Sequence, residues 1–256
     1  MEPIKDYRAT IRRWGKRFKR NPDCDYGSDL YSDSLRYPVI DGGGNFNAGK
    51  MTARALSTGI SALCTILDTE KRQERHGVNV PGLSVLSRTG MVSASIVIWL
   101  LESDDADVRF ERGLRLSREN VKQFKALADR GEIYNKTIDP QINEIVRCLR
   151  GSADAEIAAL EKMMDENGFK VGKQIENSRI LFDVSERLNG YDGDSSDYRK
   201  SILDAWRMDS GFAHALAWPY EIAFTKPPRE FYEDVVAAPT LLMADAIDLL
   251  DRRRTA

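Results

Sequence analysis

The fold class rests on residues 81–102, whose sequence is PGLSVLSRTGMVSASIVIWLLE. Pro81 suits the first turn of a helix, where a backbone N–H has no partner within the helix. The centre of this segment is apolar on every side at helical spacing, which is typical of a helix buried in a protein core. Its longest uninterrupted apolar run, at 96–101, is six residues, far short of the roughly 20 that cross a membrane. We therefore expect a core helix and no membrane span.

Helical spacing of apolar residues dominates the remainder of the chain as well. We predict further helices at 4–19, 49–75, 105–130, 140–150, 153–167, 173–188, 197–217 and 229–253. No segment shows sustained strand alternation, so the sequence predicts an all-α fold, a multi-helix bundle with little or no sheet. We expect residues 1–48 to form a basic N-terminal helix followed by an irregular loop. Residues 49–256 are expected to form a single helical bundle domain.

The predicted helix at 4–19 is amphipathic and strongly basic. Ile11, Trp14 and Phe18 share its apolar side, and Lys or Arg residues cover most of the remaining surface. Residues 1–20 carry eight basic and two acidic side chains, a local charge of +6, although the whole chain has a formal net charge of -2. Such a helix either docks its apolar stripe on the protein body or lies on RNA, DNA or an anionic membrane. Its basic face can also pair with the acidic remainder, within the chain or in a dimer. Because the remainder is acidic, any nucleic-acid contact is expected to be local.

Cysteine and histidine are too scarce to suggest a metal centre or a disulfide framework. The three cysteines, Cys24, Cys64 and Cys148, form no C-x-x-C pair, and the two histidines, His76 and His214, are 138 residues apart. The N-terminus has no apolar segment of the secretory-signal type. We therefore expect no cofactor, no metal, and a location in the reducing cytoplasm.

The segment GNFNAGK, which begins at Gly44 and ends at Lys50, matches the phosphate-binding pattern G-x4-G-K. In that pattern, backbone amides and a helix N-terminus hold the phosphates while the lysine contacts the terminal ones. Met51 stands where the pattern requires Ser or Thr to hold magnesium, and no series of βα units follows. We therefore interpret the segment as a Gly- and Asn-rich loop.

Two charged patterns receive structural interpretations. Four arginines recur along the predicted helix at 105–130, but they rotate around its axis, so we expect a solvated surface. Three aspartates near a Gly-containing turn are similar to a calcium loop, but Leu203 stands where such a loop needs a bidentate Glu, and we interpret the segment as a turn and helix cap. The residues concerned are Arg109, Arg112, Arg115 and Arg118, and Asp192, Asp194 and Asp197.

Arg207, Ser210 and His214 form the sharpest chemical pattern in the chain. Seven residues make almost two helical turns, so Arg207 and His214 are predicted to lie on one side of a helix, with Ser210 between them. An imidazole moves protons near neutral pH and a guanidinium holds phosphate oxygens, which suits phosphodiester chemistry. In the structural alternative, Ser210 bonds its own helix backbone, His214 is a hydrogen-bonded core residue, and Arg207 pairs with Asp204, Asp209 or a neighbouring helix.

The spacing of Arg207 and His214 has the form R-x6-H, and in this the sequence resembles the HEPN superfamily of helical-bundle proteins, whose nuclease members carry R-x4–6-H on one helix. The resemblance implies metal-independent RNA cleavage at a dimer interface. His214 would handle the proton of the 2′-hydroxyl or of the leaving group, and Arg207 would hold the phosphate. Met208 stands where active members usually place a polar residue.

The sequence is also similar to uncharacterised bacterial helical proteins that carry an R-x3-E helix, a W-L-L segment and an S-x2-A-H-like motif. The corresponding segments are RTGMV at 88–92, WLL at 99–101 and SGFAH at 210–214. Val92 replaces the glutamate of the first motif, so the polar partner that this glutamate supplies is absent from that position.

Two functions from different classes follow. The first is a HEPN-like metal-independent RNase of a toxin–antitoxin or phage-defence system, with RNA as its substrate. The second is a non-catalytic helical interaction module, either a homodimeric scaffold or an antitoxin-like protein partner. Exposure of Arg207 and His214 together in a cleft favours the first function, and burial of the two apart favours the second.

Overall fold

The computed structural model describes residues 6–18, 25–37, 47–73, 79–135, 140–172, 175–187, 195–223 and 228–255. Within these ranges the chain forms ten helices and no strand, which confirms the predicted all-α, multi-helix fold. The helices are α1 (Tyr7–Arg17), α2 (Asp29–Leu35), α3 (Ala48–Gln73), α4 (Val80–Leu101), α5 (Ala106–Asn135), α6 (Pro140–Glu166), α7 (Asn177–Arg187), α8 (Ser195–Ala213), α9 (Trp218–Ala223) and α10 (Pro228–Arg254).

The chain divides into two compact units. Unit 1 combines Met1–Cys24, Thr52–Glu102 and Asn177–Thr255, and unit 2 combines Asp25–Met51 with Ser103–Glu176. Each unit therefore contains residues from both sides of position 48. The predicted division into an N-terminal segment at 1–48 and one bundle domain at 49–256 stays a prediction.

Helix α4 forms the core of unit 1, as its all-round apolar character predicts. It packs against α10, α8 and α7, and Met91, Ala94 and Val97 are completely buried. Gly90 lies close to α10, because a Cβ built there would lie 3.1 Å from Cβ of Pro239. Among the described helices, α4 alone is long and apolar enough to cross a membrane, but most of its apolar segment is buried within the protein.

Helix α1 docks on unit 1 through its apolar side. Ile11 and Trp14 are buried, and α1 contacts α10. The guanidinium of Arg8 also reaches α3, where its Nε donates to Oε2 of Glu70 at 2.9 Å. Of the alternatives open for the basic N-terminal helix, docking on the protein body is therefore the one that the structure supports.

Unit 2 is built on α5 and α6, which run antiparallel. Lys125 pairs with Asp154 at 3.4 Å, and Nε of Arg150 lies 3.0 Å from Oδ1 of Asp129. From Lys125 to Asp129 the chain runs forward along α5, while their partners on α6 run backward, from Asp154 to Arg150. The two helices thus form a hairpin held by packing along its length.

The prediction of a solvated arginine surface on α5 is wrong for three of its residues, since the side chain of Arg115 is 9% exposed and two other arginines are buried. Arg109 and Arg118 are only 4% and 8% exposed. Arg109 Nε donates to Oδ2 of buried Asp33 on α2 at 2.6 Å, and Arg118 Nε donates to Oε1 of Glu161 on α6 at 2.6 Å. Both cations are buried because carboxylates from other helices pair with them, and a buried charge without such a partner would be costly.

Helix α2 lies where the sequence predicted an irregular loop. Ser28 caps it, since the backbone N–H of Tyr31 donates to Oγ of Ser28 at 3.3 Å. Its buried residues, Leu30 and Asp33, anchor it in unit 2. A helix of seven residues has too few apolar positions to show a period, and tertiary contacts supply most of its stability.

The predicted break near residue 151 is also absent, because α6 runs without interruption from Pro140 to Glu166. A glycine inside a helix costs only about 1 kcal/mol relative to alanine. Nothing lies within 4 Å of a Cβ built at Gly151, so this glycine serves no close packing contact. Conversely, the predicted helix at 197–217 ends early, because α8 stops at Ala213, and the short helix α9 follows after a turn, beyond the predicted limit.

Candidate functional site

Helix α8 presents the three residues of the R-x6-H pattern on one side. The side chain of Arg207 is 65% exposed, His214 is exposed, and Ser210 is half-buried. Because successive residues of a helix turn by about 100°, positions 207, 210 and 214 lie within one third of its circumference. The structure thus places the predicted site residues on a common, solvent-facing side of α8.

The geometry at the end of α8 explains why His214 keeps this orientation. The backbone N–H of His214 donates to the carbonyl of Ser210 at 3.0 Å, so the helical hydrogen bonding reaches His214. Ala215 then adopts φ 54°, and the N–H of Leu216 donates to the carbonyl of Gly211 at 3.0 Å. This pattern is a Schellman cap in which Ala215 occupies the left-handed position that usually takes glycine.

Gly211 allows the chain to fold back closely after this cap. A Cβ built at Gly211 would lie 2.5 Å from Cγ of Pro219 and 2.9 Å from Cζ2 of Trp218. No side chain larger than hydrogen fits there without movement of α9. The close contact between α8 and α9 therefore fixes the segment that carries His214.

Arg207 forms an ion pair that is exposed and therefore weak. Its NH1 lies 3.5 Å from Oδ1 of Asp204, one helical turn earlier, and both side chains are more than half exposed. Exposed pairs of this kind contribute at most about 1 kcal/mol, so the guanidinium can exchange its carboxylate partner for another anion. The alternative in which His214 is a buried core residue does not fit its exposure.

The opposite side of α8 lines a cavity of about 440 Å³ within unit 1, a feature absent from the sequence predictions. Its wall is mostly apolar and carries a few polar groups. The lining residues come from α4, α8 and α10; they are Ser84, Ser201, Ile202, Asp204, Ala205, Met208, Asp209, Phe212, Phe231, Asp234, Val235, Ala237, Ala238 and Leu241. A cavity of this volume is in the range that binds small molecules.

Asp209 is the most unusual group in this wall. It is only 4% exposed, and burial raises its pKa to about 7, against the lowering influence of Ser87, Ser84 and Arg88. The hydroxyls of Ser87 and Ser84 donate hydrogen bonds to this carboxyl and, with the charge of Arg88, favour its ionised form, but burial outweighs them.

Arg88 links this cavity to one of the sequence motifs. Its guanidinium lies over the ring of Trp206, 4.8 Å from the ring centroid, and it lowers the pKa of Asp209. The carboxylate whose pKa Arg88 lowers thus belongs to α8. Position 92, where the motif has its glutamate, carries Val92. The sequence did contain a signal, because Asp209 lies on an apolar helix face at helical spacing from Ile202.

The other predicted loops contribute no functional geometry to the described residues. The N–H of Lys50 donates to Oδ1 of Asn47 at 2.9 Å, so the end of the G-x4-G-K segment is the capped start of α3. Residues 44–46 and 188–194, with Asp192 and Asp194, lie outside the described residues, as does the side chain of Asp197. Within the part of the chain that is described, no group of three or more His, Cys, Asp or Glu residues is arranged to hold a metal ion.

Searches against protein-family models, curated proteins and solved structures found no match to this chain. The resemblance to HEPN proteins therefore stays a prediction that rests on Arg207 and His214.

Proposed function

We propose that the protein is a HEPN-like, metal-independent endoribonuclease that uses Arg207 and His214. The observation that supports this proposal is the exposure of both side chains on one side of α8, where a phosphodiester can reach them. The structural alternative needs His214 in the core, and of its other elements the pairing of Arg207 with Asp204 is present, as an exposed ion pair. An exposed imidazole on the same side of a helix as an exposed guanidinium instead combines a proton carrier with an anion-binding group.

In the proposed reaction, the ribose 2′-oxygen attacks the adjacent phosphorus and the 5′-oxygen of the next nucleotide leaves. His214 accepts the 2′-hydroxyl proton or gives a proton to the departing oxygen, and Arg207 holds the two non-bridging phosphate oxygens with parallel N–H groups. Ser210 lies between them and can donate its hydroxyl hydrogen to a phosphate oxygen. The products are a 2′,3′-cyclic phosphate and a 5′-hydroxyl.

The reaction has two proton transfers and the site has one imidazole, which favours a homodimer that brings two copies of His214 together. Leu216 and Trp218 follow His214 closely and are 46% and 43% exposed. Exposed apolar side chains beside a site are typical of an interaction surface. We propose that this surface joins two copies of the chain, or binds an antitoxin-like protein that blocks the site.

Cleavage of a mixed-sequence RNA pool in the presence of EDTA tests the proposal. His214→Ala should lower the cleavage rate about 10²–10⁴-fold, because it removes the proton carrier. His76→Ala, at the only other histidine, is the matched control and should leave the rate unchanged. Wild-type protein that leaves the pool intact, or equal loss of activity in both variants, would contradict the proposal.

A second pair of variants separates the role of Arg207 from charge alone. Arg207→Lys keeps the charge but loses the planar pair of donors, so the cleavage rate should fall. Arg252→Lys is the control, because Arg252 is 69% exposed and has a similarly long i,i+4 ion pair with Asp248 at 3.9 Å. An equal effect of the two substitutions would contradict a phosphate-binding role for Arg207.

We further propose that the enzyme acts in the cytoplasm as part of a toxin–antitoxin or phage-defence system. An RNase that accepts cellular RNA must be held inactive until it is needed. Expression of the wild-type chain alone should therefore arrest growth, and expression of His214→Ala should not. Normal growth with an active wild-type enzyme would argue against this role while leaving the chemistry intact.

A second candidate function is a non-catalytic interaction module, and exposed apolar residues of unit 2 favour it. Unit 2 exposes two apolar residues on α5, Phe124 and Leu127, and two on α6, Ile145 and Leu149, with exposures between 42% and 68%. Light scattering of wild-type protein and of Leu127→Glu tests this function. A complex in the wild type that Leu127→Glu dissociates, in protein that leaves RNA intact, would favour the module.

A further inference from the structure

Helix α1 carries much of its positive charge on the side that faces solvent. Ile11 and Trp14 are buried against unit 1, and Arg12, Arg13 and Lys16 are exposed. Because successive residues of a helix turn by about 100°, the three cations lie within about 50° of the direction opposite the two buried residues. We infer that this outer surface of α1, together with the adjoining end of α10, binds the phosphate backbone of a nucleic acid. Such binding requires no cleavage and is therefore independent of the proposed RNase.

Neighbouring carboxylates do not neutralise the outer surface of α1. Within the part of the chain that the structure describes, none of the side chains of Arg12, Arg13 and Lys16 forms an ion pair or a hydrogen bond. The basic residue near the start of the helix differs, because Nε of Arg8 donates to Oε2 of Glu70 at 2.9 Å. The three outer cations are therefore available to an external anion.

The last turn of α10 extends this positive surface. Arg17 forms an ion pair with Asp251, which brings the end of α1 beside a turn that carries Arg252, Arg253 and Arg254. Nε of Arg254 lies 2.9 Å from the same oxygen of Asp251. Two arginines thus share one carboxylate, and the pair of helix ends keeps a net positive charge.

Stabilisation of the helix ends accounts for only part of this charge. Basic residues in the last turn of a helix complement the partial negative charge of its C-terminus. This explains Lys16 and Arg17 in α1 and the arginines at the end of α10. It does not explain Arg12 and Arg13, which precede the last turn of α1. An external anion is a favourable partner for these two guanidinium groups.

The docking of α1 favours a nucleic acid over a membrane. A helix that lies on a membrane inserts its apolar side among the lipids, but Ile11 is completely buried and Trp14 is only 7% exposed, so that side is occupied. A nucleic acid requires no apolar insertion, since its affinity comes mainly from the release of counterions when Lys and Arg neutralise phosphates. Arginine suits this contact because its planar guanidinium holds two phosphate oxygens at once.

Fluorescence anisotropy with a labelled 2′-O-methyl oligoribonucleotide tests the binding. This probe has the phosphate backbone of RNA but no free 2′-hydroxyl, so the proposed cleavage reaction cannot destroy it. We expect the wild type to bind at about 50 mM salt with a dissociation constant on the order of 10⁻⁶–10⁻⁵ M, and to lose affinity as the salt concentration rises. Absence of binding at this salt concentration, or binding that does not depend on salt, would overturn the inference.

A triple variant locates the binding on α1. Arg12→Ala/Arg13→Ala/Lys16→Ala should weaken binding at least about tenfold, because it removes three contacts to phosphate. The slope of the logarithm of affinity against the logarithm of salt concentration should become shallower by about 2, since each neutralised phosphate of a single strand contributes roughly 0.7 to it. An unchanged affinity or slope in this variant would overturn the inference.

A second triple variant is the matched control for net charge. Arg147→Ala/Lys162→Ala/Arg179→Ala removes the same three charges from other helices, at side chains that are between 68% and 77% exposed and pair with carboxylates one turn away. Its affinity should stay close to that of the wild type. Circular dichroism checks that both variants are folded, as we expect because exposed polar substitutions cost little stability. Equal losses of affinity in the two variants would overturn the inference.

Sedimentation with vesicles of phosphatidylserine and phosphatidylcholine distinguishes a membrane from a nucleic acid. We expect the protein to stay in the supernatant at a salt concentration at which it binds the oligonucleotide, because the apolar side of α1 is occupied. Vesicle binding as strong as oligonucleotide binding, and abolished by the alanine substitutions on α1, would overturn the assignment to a nucleic acid.

Discussion

Replacement of Asp209 by asparagine should change how the stability of unit 1 depends on pH. Asp209 is 4% exposed, and burial raises its pKa from 3.8 to about 7. Asparagine has nearly the same shape but does not ionise. The variant therefore removes the ionisation of one buried carboxyl and leaves the packing around it almost intact.

The direction and size of the effect follow from this pKa shift. Because the pKa of Asp209 is higher in the folded than in the unfolded state, the folded state binds its proton more tightly. The stabilisation from protonation is complete below pH 3.8, and it is lost as the pH rises through 7. A shift of this size corresponds to about 4 kcal/mol in total. Between pH 5 and pH 8 the wild type should lose about 2.5 kcal/mol of unfolding free energy that the asparagine variant does not lose.

Urea unfolding followed by tryptophan fluorescence measures this difference in unit 1. All four tryptophans, Trp14, Trp99, Trp206 and Trp218, belong to unit 1, so their fluorescence does not report directly on unit 2. The free energies of unfolding of wild type and variant are compared at pH 5, 6, 7 and 8. A difference between the two proteins that stays constant across this range, or that changes in favour of the wild type as the pH rises, would refute the reasoning.

Three further substitutions have defined outcomes. Asp33→Ala should lower the unfolding free energy of unit 2 by about 3–5 kcal/mol, because it leaves the guanidinium of Arg109 buried and without its carboxylate. Asp107→Ala, at a carboxylate that is 71% exposed, should cost less than about 1 kcal/mol. Equal losses of stability in the two variants, measured by unfolding followed with circular dichroism, would contradict this prediction. Trp14→Ala should cost about 3–5 kcal/mol, since Trp14 is only 7% exposed, and an unchanged melting temperature would contradict docking of α1. Ala215→Gly should raise the stability by up to about 1 kcal/mol, because Ala215 has φ 54°, and a lower melting temperature would contradict strain at this cap.

The sequence predicts those parts of the fold that long periodic helices create. Helices α3, α4 and α10 begin and end within about three residues of their predicted limits, because apolar residues recur along them for many turns. The common side of Arg207 and His214 was also predictable, since it depends on helix geometry alone. The exposure of that side required the structure, because sequence spacing does not show which side of a helix is covered.

Features that depend on contacts between distant residues could not be predicted. Arg109 is buried because Asp33, 76 positions away, pairs with it, and the arginine spacing on α5 contains no sign of that partner. The cavity likewise requires α4, α8 and α10 together. Asp209 was visible in the sequence as a charge on an apolar helix face, but its nearest polar groups, Ser84 and Ser87, are more than 120 positions earlier.

Cleavage of RNA by Arg207 and His214 without a metal is tested most directly by the chemistry of the product ends. A defined RNA oligonucleotide is incubated with the purified protein in EDTA, and its fragments are identified by mass spectrometry. We expect fragments that end in 2′,3′-cyclic phosphate and begin with 5′-hydroxyl, and no fragments from His214→Ala. An intact oligonucleotide, or fragments with 3′-hydroxyl and 5′-phosphate ends, would contradict this expectation.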